Sequence, residues 1–227
     1  IGSRSAPQSY GEAPHHYFLL NDGTGKFKDI TSAVWNQKEE IRMITSAVWA
    51  DLDLSGKPQL VIDGEWMQPE IWKFTGKKFE KVSPSLPALQ GWWLSIHAAD
   101  LDGDGKTDLV LGNQGENYYL RPTDTADVKL WVGDYDGNGI IDKLMTRQIA
   151  GRDIPVFLKR ELTDQLPGLK KQNLRHAEYA TKTIQDLVGK EAANKTKPLV
   201  AVTGGSMVLW NNGNYLFEAQ KLPAPVQ

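Results

Sequence analysis

The sequence has no cysteine among its 227 residues. This absence excludes disulfide bonds, zinc sites built on thiolates and catalysis by a thiol. The sequence also lacks an apolar run near the roughly 18 residues that a membrane-spanning helix requires. Basic residues are not in excess, and the formal net charge is −2. Because nucleic acids and anionic lipids attract proteins with a basic excess, we expect neither nucleic-acid binding nor membrane insertion.

The remaining composition is that of an ordinary folded protein, 40% hydrophobic and 24% charged. The sequence begins at Ile1 rather than at methionine. We therefore expect it to be a processed or excised piece of a longer protein.

Two kinds of hairpin recur along the chain. The first joins two apolar segments through an aspartate-rich turn, in SAVWADLDLSGKPQLVIDG (46–64), SIHAADLDGDGKTDLVLGN (95–113) and KLWVGDYDGNGIIDKLMTR (129–147). The second joins two strand-like segments through a glycine-bearing turn, in YFLLNDGTGKFKDIT (17–31), EIWKFTGKKFEKVS (70–83) and MVLWNNGNYLFEA (207–219). Four short antiparallel strands per 40 to 50 residues are typical of a β-propeller blade.

We therefore predict an all-β fold, a partial β-propeller of about three to four four-stranded antiparallel blades. The predicted divisions are a half blade (15–31), two blades (46–83 and 95–120), the start of a last blade (129–148, within a propeller region 1–149), a helical insert (150–200) and the end of the last blade (201–227). Because a propeller needs four to eight blades to close, we expect further blades of the parent protein, or another chain, to complete the ring.

The insert has the periodicity of helices. Leu158, Leu162 and Leu166 recur every fourth residue, behind Asp153 and Pro155, which suit a helix start. Pro167 ends this predicted helix, and a second one is predicted over 181–188, with a glycine following as its stop.

The aspartate-rich turns predict calcium sites. Carboxylates at alternate positions of one tight turn repel one another unless a cation lies between them, and Ca²⁺ binds six to eight oxygens, including backbone carbonyls. The predicted ligands of the first site are Asp100, Asp102, Asp104, the carbonyl of Lys106, and Asp108. Those of the second are Asp134, Asp136, Asn138, the carbonyl of Ile140, and Asp142.

A third copy, with Asp51, Asp53 and Ser55, has Gln59 where the last aspartate belongs. We expect weak calcium binding there or none. An EF-hand is excluded because its twelfth position should be glutamate, whereas that position is Leu111 or Met145. The alternative is that all three are polar hairpin turns, in which Asp, Asn and Gly are common for local reasons.

The repeated pattern resembles the FG-GAP or VCBS repeat of integrin α-subunit propellers and of many secreted bacterial proteins. It consists of an apolar strand, the loop D-x-D-x-D-G-x-x-D and a second apolar strand. With GEWM (64–67) and GWW (91–93), the chain is similar to large bacterial VCBS proteins that often carry an ASPIC/UnbV segment. The resemblance covers most of residues 15–223 and implies a calcium-binding propeller, extracellular, periplasmic or on the cell surface. The chain departs from it in the 51–59 loop, in the number of blades and in having no recognisable ASPIC/UnbV segment.

Loops on the rim opposite the aspartate turns are rich in aromatic residues. We predict a ligand-binding face there, formed by Trp66, Trp92, Trp93, Tyr118, Tyr119 and Arg121, because such side chains stack on sugars or anchor protein partners. The alternative is that they pack between blades. Glu65 and Glu116 are expected on the same rim, where two carboxylates at a suitable separation could act on a glycosidic bond.

The sequence thus favours a calcium-stabilised binding module for a protein or glycan, in a secreted or surface protein. Two alternatives stay open: an assembly scaffold, and part of a carbohydrate-active enzyme with the helical insert as a lid. The enzyme is the less favoured, because the sequence shows no nucleophile elbow, catalytic histidine arrangement or phosphate loop.

Overall fold

The computed structural model describes residues 1–7, 9–35, 43–83, 86, 89–172 and 175–226. It confirms the predicted fold class, since it is mostly β, with antiparallel sheets consistent with a partial β-propeller. The strands are β1 Leu19–Asn21, β2 Phe27–Asp29, β3 Met43–Ala50, β4 Gln59–Met67, β5 Glu70–Phe74, β6 Phe79–Val82, β7 Gly91–Ala99, β8 Asp108–Asn113, β9 Val128–Gly133, β10 Asp142–Ile149, β11 Arg152–Pro155, β12 Leu199–Ala201, β13 Met207–Asn211 and β14 Phe217–Lys221. The helices are α1 Thr31–Val34, α2 Lys159–Gln165, α3 Leu169–Gln172, α4 His176–Tyr179, α5 Ile184–Val188 and α6 Lys190–Lys195, followed at the end by a 3₁₀ turn at Ala224–Val226.

The first four-stranded unit is the meander β3–β6, which begins three residues before the predicted blade 46–83 and ends within it. Strand β4 lies between β3 and β5, pairing Val61 with Val48 on one side and with Ile71 on the other. All nine of its residues are buried, because a central strand has neighbours at both edges and on both faces.

The second unit combines segments that are far apart in the sequence. Strands β7 and β8 form a hairpin, and β13 then pairs with β8, placing Leu209 opposite Leu109. Strand β14 completes the unit. The grouping of 207–219 with the blade begun at 129 is therefore wrong: this hairpin extends the sheet begun at residue 91. Buried Leu109 and Leu209 pack in one core, and the spacing of hairpins along a sequence cannot show which open sheet edge a later hairpin will join.

The third unit is a four-stranded sheet in the order β11-β10-β9-β12. Strand β12 pairs with β9, placing Leu199 opposite Leu130. Its strands lie between β8 and β13 in the sequence, so the whole sheet is an insertion within the second unit. The stretch 150–200, predicted as a helical insert, also contributes β11 and the first residues of β12.

Helices α2 to α6 lie between β11 and β12 and pack on the third sheet through a core that joins Trp131 and Leu144 to Leu162, Leu166 and Ile184. The predicted periodicity of α2 is therefore confirmed. Its predicted start is wrong, because Asp153 and Pro155 belong to β11.

The ends of α2 and α5 have local causes. The Glu161 carboxylate accepts the N–H of Leu158 at 2.9 Å at the start of α2. Helix α5 begins after Thr183, whose hydroxyl accepts the N–H of Asp186 at 3.2 Å. It ends at Gly189, whose φ of 90° favours a residue without a Cβ.

Strands β1 and β2 form a separate two-stranded hairpin at the predicted half blade 15–31. All six strand residues are exposed. The segment is held through Phe18, whose ring lies 5.0 Å from that of Trp35 and 4.6 Å from that of Phe79.

The first and second units join where β4 pairs with β7, at Glu65 opposite Trp92 and Met67 opposite Gly91. A shared core fills the space between them, with Val61 and Ile71 from one unit and Ile96, Leu109 and Leu209 from the other. Alternating connections of an antiparallel sheet leave on the same side. The turns after β3, β7 and β13 accordingly meet at one edge of the joined sheet.

Two acidic residues are buried inside β4. Glu65 is compensated, because its carboxylate accepts the Nε of Arg4 at 2.7 Å and the hydroxyl of Tyr10 at 2.7 Å. Asp63 is less well compensated: the Thr45 hydroxyl lies 3.4 Å from its Oδ1 and the backbone N–H of Ser46 donates to the carboxylate, but its Oδ2 has no hydrogen-bond partner among the described residues. Burial raises the pKa of Asp63 to about 7.

This raised pKa predicts that Asp63→Asn stabilises the protein at neutral pH. The unfolded chain ionises Asp63 near pH 4 but the folded chain only near pH 7, so its ionisation weakens the fold as pH rises between these values. We expect the free energy of unfolding of the variant, measured relative to that of the wild type, to increase by on the order of 3 kcal/mol when the pH is raised from 4 to 8. Urea unfolding at both pH values measures this gain.

Asp124→Asn, at an exposed turn position, is the matched control and should give the same difference from the wild type at both pH values. Parallel stability curves for Asp63→Asn and the wild type would contradict the raised pKa of the buried Asp63 carboxyl.

Candidate metal sites

Three loops with the same spacing connect β3 to β4, β7 to β8 and β9 to β10. In each, both oxygens of the first aspartate accept backbone N–H groups of the loop. Gly103 and Gly105 donate to Asp100 at 2.8 and 3.0 Å, and Gly137 and Gly139 donate to Asp134 at 2.8 and 2.9 Å. The glycine φ values of 74° to 85° lie in the left-handed region, so the glycine positions are required by the wrapping of the loop.

The ninth residue closes each loop. Asp108 accepts the N–H of Leu101 at 3.0 Å, and Asp142 accepts that of Tyr135 at 3.0 Å. Gln59 makes the same bond with its amide oxygen, accepting the N–H of Leu52 at 2.8 Å. The closing hydrogen bond therefore needs only an acceptor and does not itself need a carboxylate.

Within the described ranges, two groups of acids bring their oxygens together: Asp100 with Asp102 and Asp108, and Asp134 with Asp136 and Asp142. One carboxylate oxygen from each member lies within 4.8 Å of the others. Oxygens on opposite sides of one Ca²⁺, each at about 2.4 Å, are about 4.8 Å apart. Six of the ten predicted ligand residues thus form two sets of hard oxygen donors whose separation suits a calcium ion.

The other predicted ligands are placed differently. Asp104 lies outside the first group, and its carboxylate forms an ion pair with the ammonium of Lys106. The Asn138 amide oxygen accepts the N–H of Ile140 at 2.7 Å. The carbonyls of Lys106 and Ile140 stay predictions, since no contact of the described residues tests them.

The carboxylates of the second group differ in electrostatic environment. Burial raises the pKa of Asp142, and the negative charges of Asp136 and Asp134 raise it further. Hydrogen bonds from backbone N–H groups, the largest from Gly139, lower the pKa of Asp134. A dication bound here would favour the ionised form of Asp142, whose burial and acidic neighbours otherwise disfavour it.

The 51–59 loop has no such group of acids among the described residues. Its Asp53 is bound by basic and hydroxyl side chains: the ammonium of Lys73 and the hydroxyl of Tyr215 both donate to Oδ2 at 2.7 Å. Weak calcium binding in this loop, or none, stays a prediction.

Asn211 is a residue that the sequence reasoning missed. Its backbone N–H donates to Asp108 at 2.8 Å, and its side-chain amide donates to the carbonyls of Leu52 and Thr107, each at 3.0 Å. It therefore links the first two loops. Its sequence, NNG before a strand, signals only a turn, and the partner loops lie more than a hundred residues away.

The predicted ligand-binding face is divided by burial. Trp66 and Trp93 are 3% and 0% exposed and belong to the core, so their prediction as surface ligands is wrong; the Nε1 of Trp93 donates to the Leu89 carbonyl at 2.9 Å. Trp66 and Trp93 lie on β4 and β7, which pair with each other and with further strands on either side, and the sequence of the loops does not reveal this pairing.

The other aromatic residues of that face form a continuous row. The Trp92 ring lies 4.7 Å from that of Trp66 and 6.5 Å from that of Tyr118, which lies 4.8 Å from that of Tyr119. Tyr119 ends the row and is 69% exposed. A guanidinium nitrogen of exposed Arg121 donates to the backbone carbonyl of Glu116.

A cleft of about 450 Å³ lies between this row and helix α2. Tyr118, Tyr119 and Phe157 form its aromatic lining, and Glu161 and Gln165 contribute polar groups. Rings with a few polar side chains are the usual lining of clefts that take small molecules.

Comparison with protein-family models gives two matches. An FG-GAP repeat model matches residues 92–132, and an FG-GAP-like repeat model matches residues 56–111. No curated protein and no solved structure matches the chain. The two matched segments contain β4 to β8 and the whole 100–108 loop, so together with the strand–loop–strand geometry they support an FG-GAP repeat protein.

Proposed function

We propose that this chain is a calcium-stabilised β-propeller segment of a secreted or cell-surface protein that binds a protein or a glycan. The observation that supports it best is the convergence of three carboxylates in each of two equivalent loops. Three carboxylates within 4.8 Å of one another repel when ionised. A Ca²⁺ ion held by Asp100, Asp102 and Asp108 supplies the opposite charge, and Asp134, Asp136 and Asp142 form the second site.

The position of these loops gives calcium a structural role. Asp108 and Asp142 are the first residues of β8 and β10, so an ion bound to them fixes the loop to the start of a central strand. Because the unfolded chain does not hold the three carboxylates together, the free energy of binding adds to the free energy of unfolding.

A secreted or surface setting suits such sites. FG-GAP repeats occur in extracellular or surface proteins, where calcium modules work with dissociation constants of roughly 10⁻⁴ to 10⁻³ M. In each group two of the three acids are exposed, which favours a site that exchanges calcium with the surrounding medium over a sealed site.

No helix in the described part of the chain is long and apolar enough to cross a membrane. The resemblance to bacterial VCBS proteins is the basis for proposing a bacterial periplasmic or surface protein.

The binding face is proposed at Trp92, Tyr118, Tyr119 and Arg121, beside the cleft. Exposed Tyr119 offers a ring face for stacking on a sugar or for anchoring a partner side chain. Further blades of the parent protein, or another chain, are proposed to cover the exposed β1–β2 hairpin.

A glycosidase activity is not favoured by the contacts of Glu65. Its side chain is fully buried and paired with Arg4 at 2.6 Å, so it cannot approach a substrate as one of two catalytic carboxylates. A pure assembly scaffold would not bind a ligand through the aromatic row. The exposed ring of Tyr119 therefore favours the binding module over the scaffold.

Calcium removal is expected to lower the thermal stability of the protein. At calcium concentrations 100 times the dissociation constant, one site adds about 2.7 kcal/mol, which for a chain of this size corresponds to roughly 5 to 10 °C in Tm. Scanning calorimetry with calcium and with excess chelator measures this shift. Asp102→Asn and Asp136→Asn should each abolish the part of the calcium-dependent increase in Tm that one site contributes.

Asp22→Asn provides the matched control, because Asp22 also accepts N–H groups in an exposed hairpin turn but belongs to neither group of acids. It should keep the full calcium shift. An identical Tm of the wild type with calcium and with chelator would refute the calcium proposal and leave the loops as metal-free turns.

Loss of the exposed ring is expected to weaken ligand binding. For a glycan that binds the wild type on an array, Tyr119→Ala should raise the dissociation constant about tenfold or more, as measured by titration calorimetry. Tyr17→Ala, at another partly exposed tyrosine, should leave it unchanged. Equal affinities of the Tyr119→Ala variant and the wild type would remove this face from the proposal.

A further inference from the structure

The 51–59 loop contains an amide where the other two loops contain a third carboxylate. Gln59 is fully buried, and its orientation is fixed by its neighbours, because the N–H of Leu52 can only donate and the carbonyl of Lys57 can only accept. The amide nitrogen donates to the Lys57 carbonyl at 2.7 Å and to Oδ1 of Asp53 at 3.1 Å.

These two acceptors correspond to predicted calcium ligands of the other loops. Lys57 is the seventh residue of its loop, as Lys106 is in the next, and Asp53 is the third, as Asp102 is. The Gln59 amide N–H groups therefore bind oxygens equivalent to those that a cation would take.

The second oxygen of Asp53 is neutralised from outside the loop. The ammonium of Lys73, on β5, lies 2.7 Å from Oδ2, and the hydroxyl of Tyr215, in the turn between β13 and β14, also lies 2.7 Å from it. Tyr215 comes from the second four-stranded unit, so Asp53 joins that unit to the first. The bond from the Asn211 amide to the Leu52 carbonyl at 3.0 Å joins the two units at the same edge.

We propose that the 51–59 loop is a metal-free joint between the first and second units, in which the Gln59 amide and the Lys73 ammonium replace the calcium ion. This inference rests on the proposed function in one respect: it takes the 100–108 and 134–142 loops to bind calcium. The joint itself consists of contacts that side chains make with other side chains and with backbone carbonyls, and it does not need that assumption.

A dication cannot occupy this loop without breaking these contacts. The –NH₂ group of Gln59 is a donor and offers no lone pair to a metal, and the Lys73 ammonium repels a second positive charge beside Asp53. These contacts therefore persist at calcium concentrations too low to fill the other two loops. Loss of calcium then loosens β8 and β10 but leaves the first unit attached to the second.

The first test restores the missing carboxylate. Titration calorimetry should give two calcium ions per wild-type chain and three for the double variant Gln59→Asp, Lys73→Gln. Gln59→Asn with Lys73→Gln is the matched control, which adds no carboxylate and should bind two. A wild-type chain that binds three ions, losing one in Asp53→Asn, would overturn the inference. So would a folded double variant that binds only two.

The second test needs no new site and separates this inference from the proposed function. Lys73→Met and Tyr215→Phe should each lower Tm by roughly 1 to 4 °C, by the same amount with calcium as with chelator. A decrease seen only with calcium, or none at all, would overturn the metal-free joint. A wild type that binds no calcium refutes the proposed function, while equal decreases in both media would still support the joint.

Discussion

The repulsion between carboxylates held within 4.8 Å of one another is the constraint on which both candidate sites depend. The loops do not avoid this repulsion. Backbone N–H groups hold Asp100 and Asp134 in place, and the closing bonds of Asp108 and Asp142 hold the third oxygen nearby. Such an arrangement is preorganised for a hard dication, and the strands that follow begin at the residues that the ion would bind.

The 51–59 loop shows a second way of compensating carboxylate charge on the same loop backbone. It keeps the closing hydrogen bond through Gln59, but the positive partner is Lys73, from a neighbouring strand. The contacts of Gln59 and Lys73 do not depend on calcium in the medium, whereas the two proposed calcium sites would. The metal-free joint lies between the two units that share the Val61 and Leu209 core, whereas the proposed calcium sites fix β8 and β10.

Local features of this fold could be predicted from the sequence, and long-range pairings could not. The spacing of Asp and Gly predicted the aspartate-rich loops, because each contact within them spans few residues. The period of the leucines predicted α2 for the same reason. The pairing of β13 with β8 depends on which open edge is nearest in space. The sequence predicted Trp66 and Trp93 at the surface, but the packing of the paired strands β4 and β7 buries both. Asn211 binds two loops that come close together only when the strands have assembled.

Anomalous X-ray scattering from crystals grown in calcium locates each bound ion without relying on stability. We expect one peak among Asp100, Asp102 and Asp108, a second among Asp134, Asp136 and Asp142, and none in the 51–59 loop. Empty 100–108 and 134–142 loops at millimolar calcium, with the carboxylates still converged, would contradict the proposal that both loops bind calcium.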